Sequence, residues 1–133
     1  MTIGLATSLR NTRMNAITTA IDAGAGPGLL RIYDGTRPAT GGSATTLLAE
    51  LTFSDPSYGA ASSGAITAAP VTSDPAANAA GTATWARLVD SNGVFVMDAS
   101  VSTAGADINL NSTTIAIGLQ VEITSSILTD GNA

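Results

Sequence analysis

The stretch TATWARLVDSNGVFVMDASV, residues 82–101, sets two β-rich runs on either side of Asn92-Gly93. A two-residue type I′ turn needs positive φ at both central positions, and asparagine and glycine are residues that accept it. Pairing Ser91 with Val94 then fixes the register. Leu88 falls opposite Met97, Ala86 opposite Ala99 and Thr84 opposite Val101 on one face, with Val89 opposite Val96 and Arg87 opposite Asp98 on the other. The second set brings complementary charges directly across from each other, an outcome the turn assignment was not chosen to produce. An antiparallel hairpin is the clearest local expectation the sequence offers.

Outward from the hairpin the period of two persists. LLRIYD, residues 29–34, reads as a strand stopped by Asp34-Gly35. In TLLAELTF, residues 46–53, Leu47, Ala49, Leu51 and Phe53 share one face while Leu48, Glu50 and Thr52 share the other, the pattern of a half-buried strand. Downstream, DINLN (107–111) is a short strand. LQVEITSSILT (119–129) alternates Leu119, Val121, Ile123, Ser125 and Ile127 against Gln120, Glu122 and Thr124. Residues 54–81 are dominated by Pro, Gly, Ser and Ala around a short apolar piece at 65–71, and predict surface excursions rather than core.

A helical period is found near the start of the chain. Leu9, Arg13, Ala16, Ile17, Ala20 and Ile21 recur at spacings of three and four, with Met14 at the edge of the stripe. The spacing predicts a helix over residues 9–23, with Ser8 as N-cap and Gly24 at C′, ended by GAGPG. Short alternating strands after one helix predict a mainly β fold, an antiparallel β-sandwich or jelly-roll-like domain with one N-terminal α-helix. The expected division is residues 1–28 as helix and linker and 29–133 as the sandwich, one compact domain overall.

Composition narrows what such a domain can do. The 133 residues carry 11% charged residues, a net charge of −5, no histidine and no cysteine. Lysine is absent, so the cations are Arg10, Arg13, Arg31, Arg37 and Arg87. They form no basic stripe, which argues against a nucleic-acid partner. No run of about 18 apolar residues suggests a membrane span, and the N-terminus lacks the signal-peptide pattern, so the chain is expected to be soluble and unexported. A surface built of Ser, Thr, Ala and Gly with few charges is unusual for a free monomer and tolerable in a protein packed against neighbours.

The same composition removes most chemistry. Without histidine or cysteine, neither a Ser-His-Asp nor a Cys-His arrangement can form, and no thiolate metal site is possible. Paired carboxylates are conceivable among Asp34, Glu50, Asp55, Asp90, Asp98, Asp107 and Glu122, but five aromatic residues make a poor sugar cleft, and solvated turn acids are the better account. DINLN alternates oxygen ligands like the start of a calcium loop, yet Ser112 and Gly118 stand where glycine and a bidentate glutamate are needed. GAGPG follows a helix, the wrong end for phosphate. No catalytic residue, cofactor or metal is therefore expected.

Two features suggest interaction. RIYDGTRPAT, residues 31–40, concentrates Arg31, Asp34 and Arg37 around an Asp-Gly turn. It reads as a strand-to-loop joint, with Arg37 the one placed to reach a partner. Trp85 fits two roles equally well, an exposed anchor at an interface or a core residue whose indole N–H needs a polar partner.

LRNTRMNAIT, RIYDGTRPAT, TLLAELTF, TATWARLVDSNGVFVMDASV and DINLNSTTIAIGLQVEITS, in this order, resemble small virion structural proteins of tailed bacteriophages and prophages. The likeness spans nearly the whole chain, least over residues 54–81, and lies in the order of the segments rather than in one motif. It implies a non-enzymatic head decoration or cement protein, β-rich, made in the host cytoplasm and placed on the capsid surface. Its implied partners are the major capsid protein and itself, as a homotrimer. Arg10, Arg13, Arg37 and Trp85 are the candidate interface residues. A tail-associated or fibre-like subunit is the alternative within the virion, and a carbohydrate-binding module the alternative outside it.

Overall fold

A computed structural model describes residues 3–130. The fold is mainly β, with one helix and a curled, mostly antiparallel sheet that gives a sandwich-like arrangement. In chain order the elements are α1 (Thr7–Ile21), β1 (Leu29–Tyr33), β2 (Leu47–Thr52), β3 (Ala65–Thr67), β4 (Gly81–Thr82), β5 (Trp85–Val89), β6 (Phe95–Ser102), β7 (Ile108–Leu110), β8 (Thr114–Ile115) and β9 (Ile123–Thr129). Seven strands form one sheet in the order β2-β1-β5-β6-β7-β9-β3, and β4 pairs with β8 separately.

The hairpin of β5 and β6 lies near the middle of this sheet. Its register runs Trp85↔Ser100, Ala86↔Ala99, Arg87↔Asp98 and Leu88↔Met97, as the sequence predicts. The turn differs. Val89 pairs with Phe95 rather than Val96, because a bulge intervenes. The Gly93 N–H bonds to the Asp90 carbonyl and the Asp90 N–H to the Val94 carbonyl. Gly93 has φ +80°, while Asn92 has no positive φ. This is a three-residue loop closed by a glycine bulge, not a type I′ turn. The deciding group is the Asp90 carboxylate, whose Oδ1 accepts the N–H groups of Asn92 and Val94 at 2.8 and 2.9 Å.

Leu30, Ile32, Leu51, Ala86, Leu88 and Ala99 form the inner face of the central strands and are fully buried. Helix α1 covers part of it, and its stripe is rotated from the predicted one. Met14 and Ile21 are buried with Ile17 partly so, while Leu9, Arg13 and Ala16 are exposed. The rotated stripe brings three large apolar side chains to the sheet where the predicted one would have spent a turn on Arg13 and Ala16. No side chain caps the helix: Ala6 is the N-cap and Ser8 already lies within the first turn. At Gly28 the chain passes so close that a Cβ would lie 2.5 Å from Ile21 Cγ2 and 2.7 Å from the Val89 carbonyl.

Two other expectations are corrected. Leu48, assigned to a polar face, is fully buried, so β2 is covered on both sides. Along β9 the apolar phase changes: Val121 is buried and Ile123 partly buried, but beyond them Ser126 and Leu128 point inward and Ile127 is 52% exposed. The cause is a bulge. Asn109 pairs with Ser125 and Leu110 with Ile123, leaving Thr124 as the extra residue, its hydroxyl bonded to the Asn109 carbonyl.

Residues 54–81 are more than surface excursions. They supply β3 and the buried Ser57, Tyr58, Ile66, Asp74 and Ala77. Tyr58 is held by Ser126 (Oη to Oγ, 2.8 Å) and by the tilted ring of Phe53. Burial pushes its phenol up to about 12 against the smaller opposing effect of the Ser126 hydrogen bond. The helix anchors the segment through its polar side chains: Asn11, Asn15 and Asp22 accept the backbone N–H groups of Gly64, Ala61 and Ser57.

Candidate functional site

The strand registers align four charges in one row across the outer face: Glu50 on β2, Arg31 on β1, Arg87 on β5 and Asp98 on β6. Two arginines directly opposite each other repel, and each is neutralised from its outer side. Arg31 Nε donates to Glu50 Oε2 at 2.9 Å. Arg87 makes a forked contact, Nε to Asp98 Oδ1 at 2.7 Å and Nη2 to Asp98 Oδ2 at 3.1 Å. Its guanidinium also lies 5.2 Å from the Trp85 ring centre and 5.1 Å from that of Phe95. Asp98 raises the Arg87 pKa above its ordinary value, with burial working against it.

RIYDGTRPAT frames this cluster. Trp85 stacks on Tyr33 with ring centres 4.5 Å apart, and its indole N–H donates to the Asp34 carbonyl at 3.0 Å and the Thr45 hydroxyl at 3.1 Å. Trp85 is 1% exposed in the chain, so it occupies the core role with its polar partner found. Asp34 Oδ1 accepts the Thr46 N–H, and the Gly35 carbonyl accepts the Thr84 hydroxyl. Residues 36–42 then fold back over β6: Arg87 Nη2 donates to the Gly42 carbonyl at 2.8 Å, and Gly41 rests on the Phe95 ring. Arg31 and Asp34 thus pin a corner within the chain.

Arg37 is different. It is exposed and makes no ion pair or hydrogen bond among the described residues. It borders a groove of about 370 Å³ shared by Pro38, Phe95, Val96 and Met97. Phe95 in its lining is 36% exposed, and Val94, the preceding residue, 59%.

Arg10 and Arg13 lie elsewhere, at the junction of α1 with the end of β9. Arg10 Nη2 donates to the Asp130 carbonyl at 3.0 Å, and Arg13 Nε stands 3.3 Å from Asp130 Oδ2. The Arg13 pair is an ion pair without hydrogen-bond geometry, since that oxygen has no hydrogen-bond partner. Next to it a cleft of about 490 Å³ opens between Met14, Ile17, Met97 and Leu128, with Arg13, Asp107 and Asp130 among its lining.

The structure therefore brings Arg37 and Trp85 to one side of the sheet and Arg10 and Arg13 to the other. It does not gather the oxygens of DINLN. Asp107 bonds to Ser100, Asn109 to Ala106 and Ser125, and Asn111 to Ser112. Sequence reasoning missed Val94 and Phe95 because alternation placed them inside a half-buried strand. Leu119 (42% exposed) was missed because alternation placed it on the apolar face of the strand over 119–129, and Ile117 (74% exposed) because it lies outside any predicted element. Comparison with protein-family models, with curated proteins and with solved structures finds no match to this chain.

Proposed function

We propose that this protein is a structural component of a phage particle, a head decoration protein that stabilises the capsid by bridging major capsid subunits, working as a symmetric homotrimer. The observation that carries this reading is the presence of two clefts that border β6, each flanked by an arginine, the one beside α1 mostly apolar and the one beside Arg37 mixed in character. The two share Met97, with Met14, Ile17 and Leu128 around it on the α1 side and Pro38, Phe95 and Asp98 on the Arg37 side. A protein that bridges neighbours needs contact surfaces on more than one side, and several individually weak contacts engaged together hold firmly. The weakly charged surface and the resemblance of the ordered segments support the same reading.

The test is reconstitution. Purified protein added to capsids lacking it is expected to bind saturably, at a copy number set by capsid symmetry, and to appear by cryo-electron microscopy as density on the outer surface. Arg13→Glu, on the α1 cleft, is expected to lower that occupancy. Failure to bind such capsids, or purification with tails instead of heads, overturns the proposal.

A further inference from the structure

We propose that copies of this chain associate by seating the Arg37 patch of one on a second, complementary patch of the next, formed by Ile117, Leu119 and Glu122. This rests on the self-associating part of the reading above and names its surfaces.

Arg13, Arg31 and Arg87 face carboxylates and Arg10 donates to the Asp130 carbonyl, which leaves Arg37 as the one cation with neither an ion pair nor a hydrogen bond among the described residues. It lines a groove with the exposed Phe95, which follows the exposed Val94 in the chain. Most carboxylates are also engaged: Asp22, Asp34, Asp74, Asp90 and Asp107 accept hydrogen bonds, and Glu50, Asp98 and Asp130 face arginines. Glu122 and Asp55 are exposed with no side-chain partner. Glu122 lies within six consecutive residues of Ile117 and Leu119, both exposed, whereas Asp55 has Ser54 and Pro56 beside it. One patch thus joins apolar surface to a free cation, and the other joins apolar surface to a free anion.

Topology keeps the two apart within one copy. The Arg37 groove lies over the Phe95 end of β6. The second patch lies beyond the Ser102 end, because β7 runs parallel to β6 from Val101↔Ile108 onward, and the Asn111 N–H bonds to the Glu122 carbonyl. At about 3.3 Å per residue, the stretch of β6 from Asp98, the last groove residue on the strand, to Ser102 sets about 13 Å between them. Each patch can therefore find its complement only on another copy. Isolated, each exposes apolar side chains beside an unpaired charge; joined, they bury both.

The test is sedimentation equilibrium of the full chain, without capsids, so that a failure here is separate from a failure of capsid binding. The wild type is expected to be oligomeric. Arg37→Glu and Glu122→Arg are each expected to weaken association by about tenfold or more, and the double variant to recover most of that loss. Asp55→Arg is the control, expected to leave association unchanged. Both positions are exposed and without a side-chain partner among the described residues, and circular dichroism is the check that each variant folds. A monomeric wild type at millimolar concentration, a double variant no better than the singles, or sensitivity at Asp55 in place of Glu122 overturns the inference.

Discussion

At the scale of single residues, the two arginine pairs on the outer face separate by burial. The Arg87 and Asp98 side chains are 13% and 5% exposed, whereas Arg31 and Glu50 are 30% and 38% exposed. Removing one member of the first pair strands a charge among Trp85, Phe95 and residues 41–42, while water can replace the second. Asp98→Asn is expected to cost about 3–5 kcal/mol and Glu50→Gln no more than about 1 kcal/mol, read from urea unfolding midpoints. Equal losses would show that the aromatic neighbours do not shield Arg87. Tyr58 gives a pH dependence of definite sign. Its phenol titrates at an ordinary 10.0 when unfolded and at about 12 in the fold. Between these values the folded state holds the proton the unfolded state has lost, so stability is whole below pH 10 and falls as pH rises toward 12. About 2–3 kcal/mol is at stake. Tyr58→Phe is expected to flatten that part of the stability profile, and an unchanged slope would place the alkaline sensitivity elsewhere.

At the scale of elements, the hairpin shows how a register can be legible when its turn is not. Arg87 opposite Asp98 and Leu88 opposite Met97 follow from counting outward from Asn92-Gly93, and both are found. The count survives because the three-residue loop shifts the register by one and Val96, left unpaired between Phe95 and Met97, shifts it back before the first of these pairs. Asp90 selects the three-residue loop with its side chain, a competition for backbone N–H groups that apolar alternation does not encode. Gly93→Ala is therefore expected to cost about 1–2 kcal/mol and Asn92→Ala less than about 0.5 kcal/mol, by thermal unfolding. A type I′ turn would make both costly. Elsewhere in the chain the same blindness recurs. β1, β2 and β7 were readable from a period of two, but the phase change in β9 at Thr124 was not, because one bulged residue moves every later side chain to the other face. The helix was readable in extent but not in orientation. Its row of Asn11, Asn15 and Asp22, which binds residues 57–64, carries as much of the packing as its apolar stripe. At the candidate site Arg37 was legible as a free cation within its loop, whereas its neighbours Val94 and Phe95 emerge only when residues 36–42 fold over β6.

At the scale of the whole molecule, the question is how a sheet with two ends avoids offering bare edges. Residues 57–59 line the outer side of β3, with the Gly59 N–H on the Thr67 carbonyl and the Ala69 N–H on the Ser57 carbonyl. The chain beyond β3 then crosses to the other end. Thr72 exchanges hydrogen bonds with Thr52, and the Asn78 N–H bonds to the Leu48 carbonyl. Between them Asp74 joins three segments: its Oδ2 accepts the Glu50 N–H at 2.9 Å, its Oδ1 accepts the Ala76 N–H at 3.0 Å, and its backbone pairs with Val121. One 8%-exposed carboxylate thus ties the β2 edge to the strap that covers it and to the segment leading into β9. Asp74→Ala leaves the Glu50 and Ala76 N–H groups without acceptors and is expected to destabilise the fold by about 2 kcal/mol or more. Asp74→Asn, which keeps one acceptor, is expected to lose less. The distinguishing measurement is hydrogen exchange. Protection at the Glu50 amide should fall further than at Ala86 in the sheet centre, and the variant should form intermolecular β-structure at concentrations where the wild type does not, since an uncovered β2 is a template for another chain. A uniform loss of protection across both amides would mean that Asp74 supports the core generally. A selective loss at Glu50 identifies Asp74 as the latch of the sheet's edge, the group that keeps β2 from pairing with another chain.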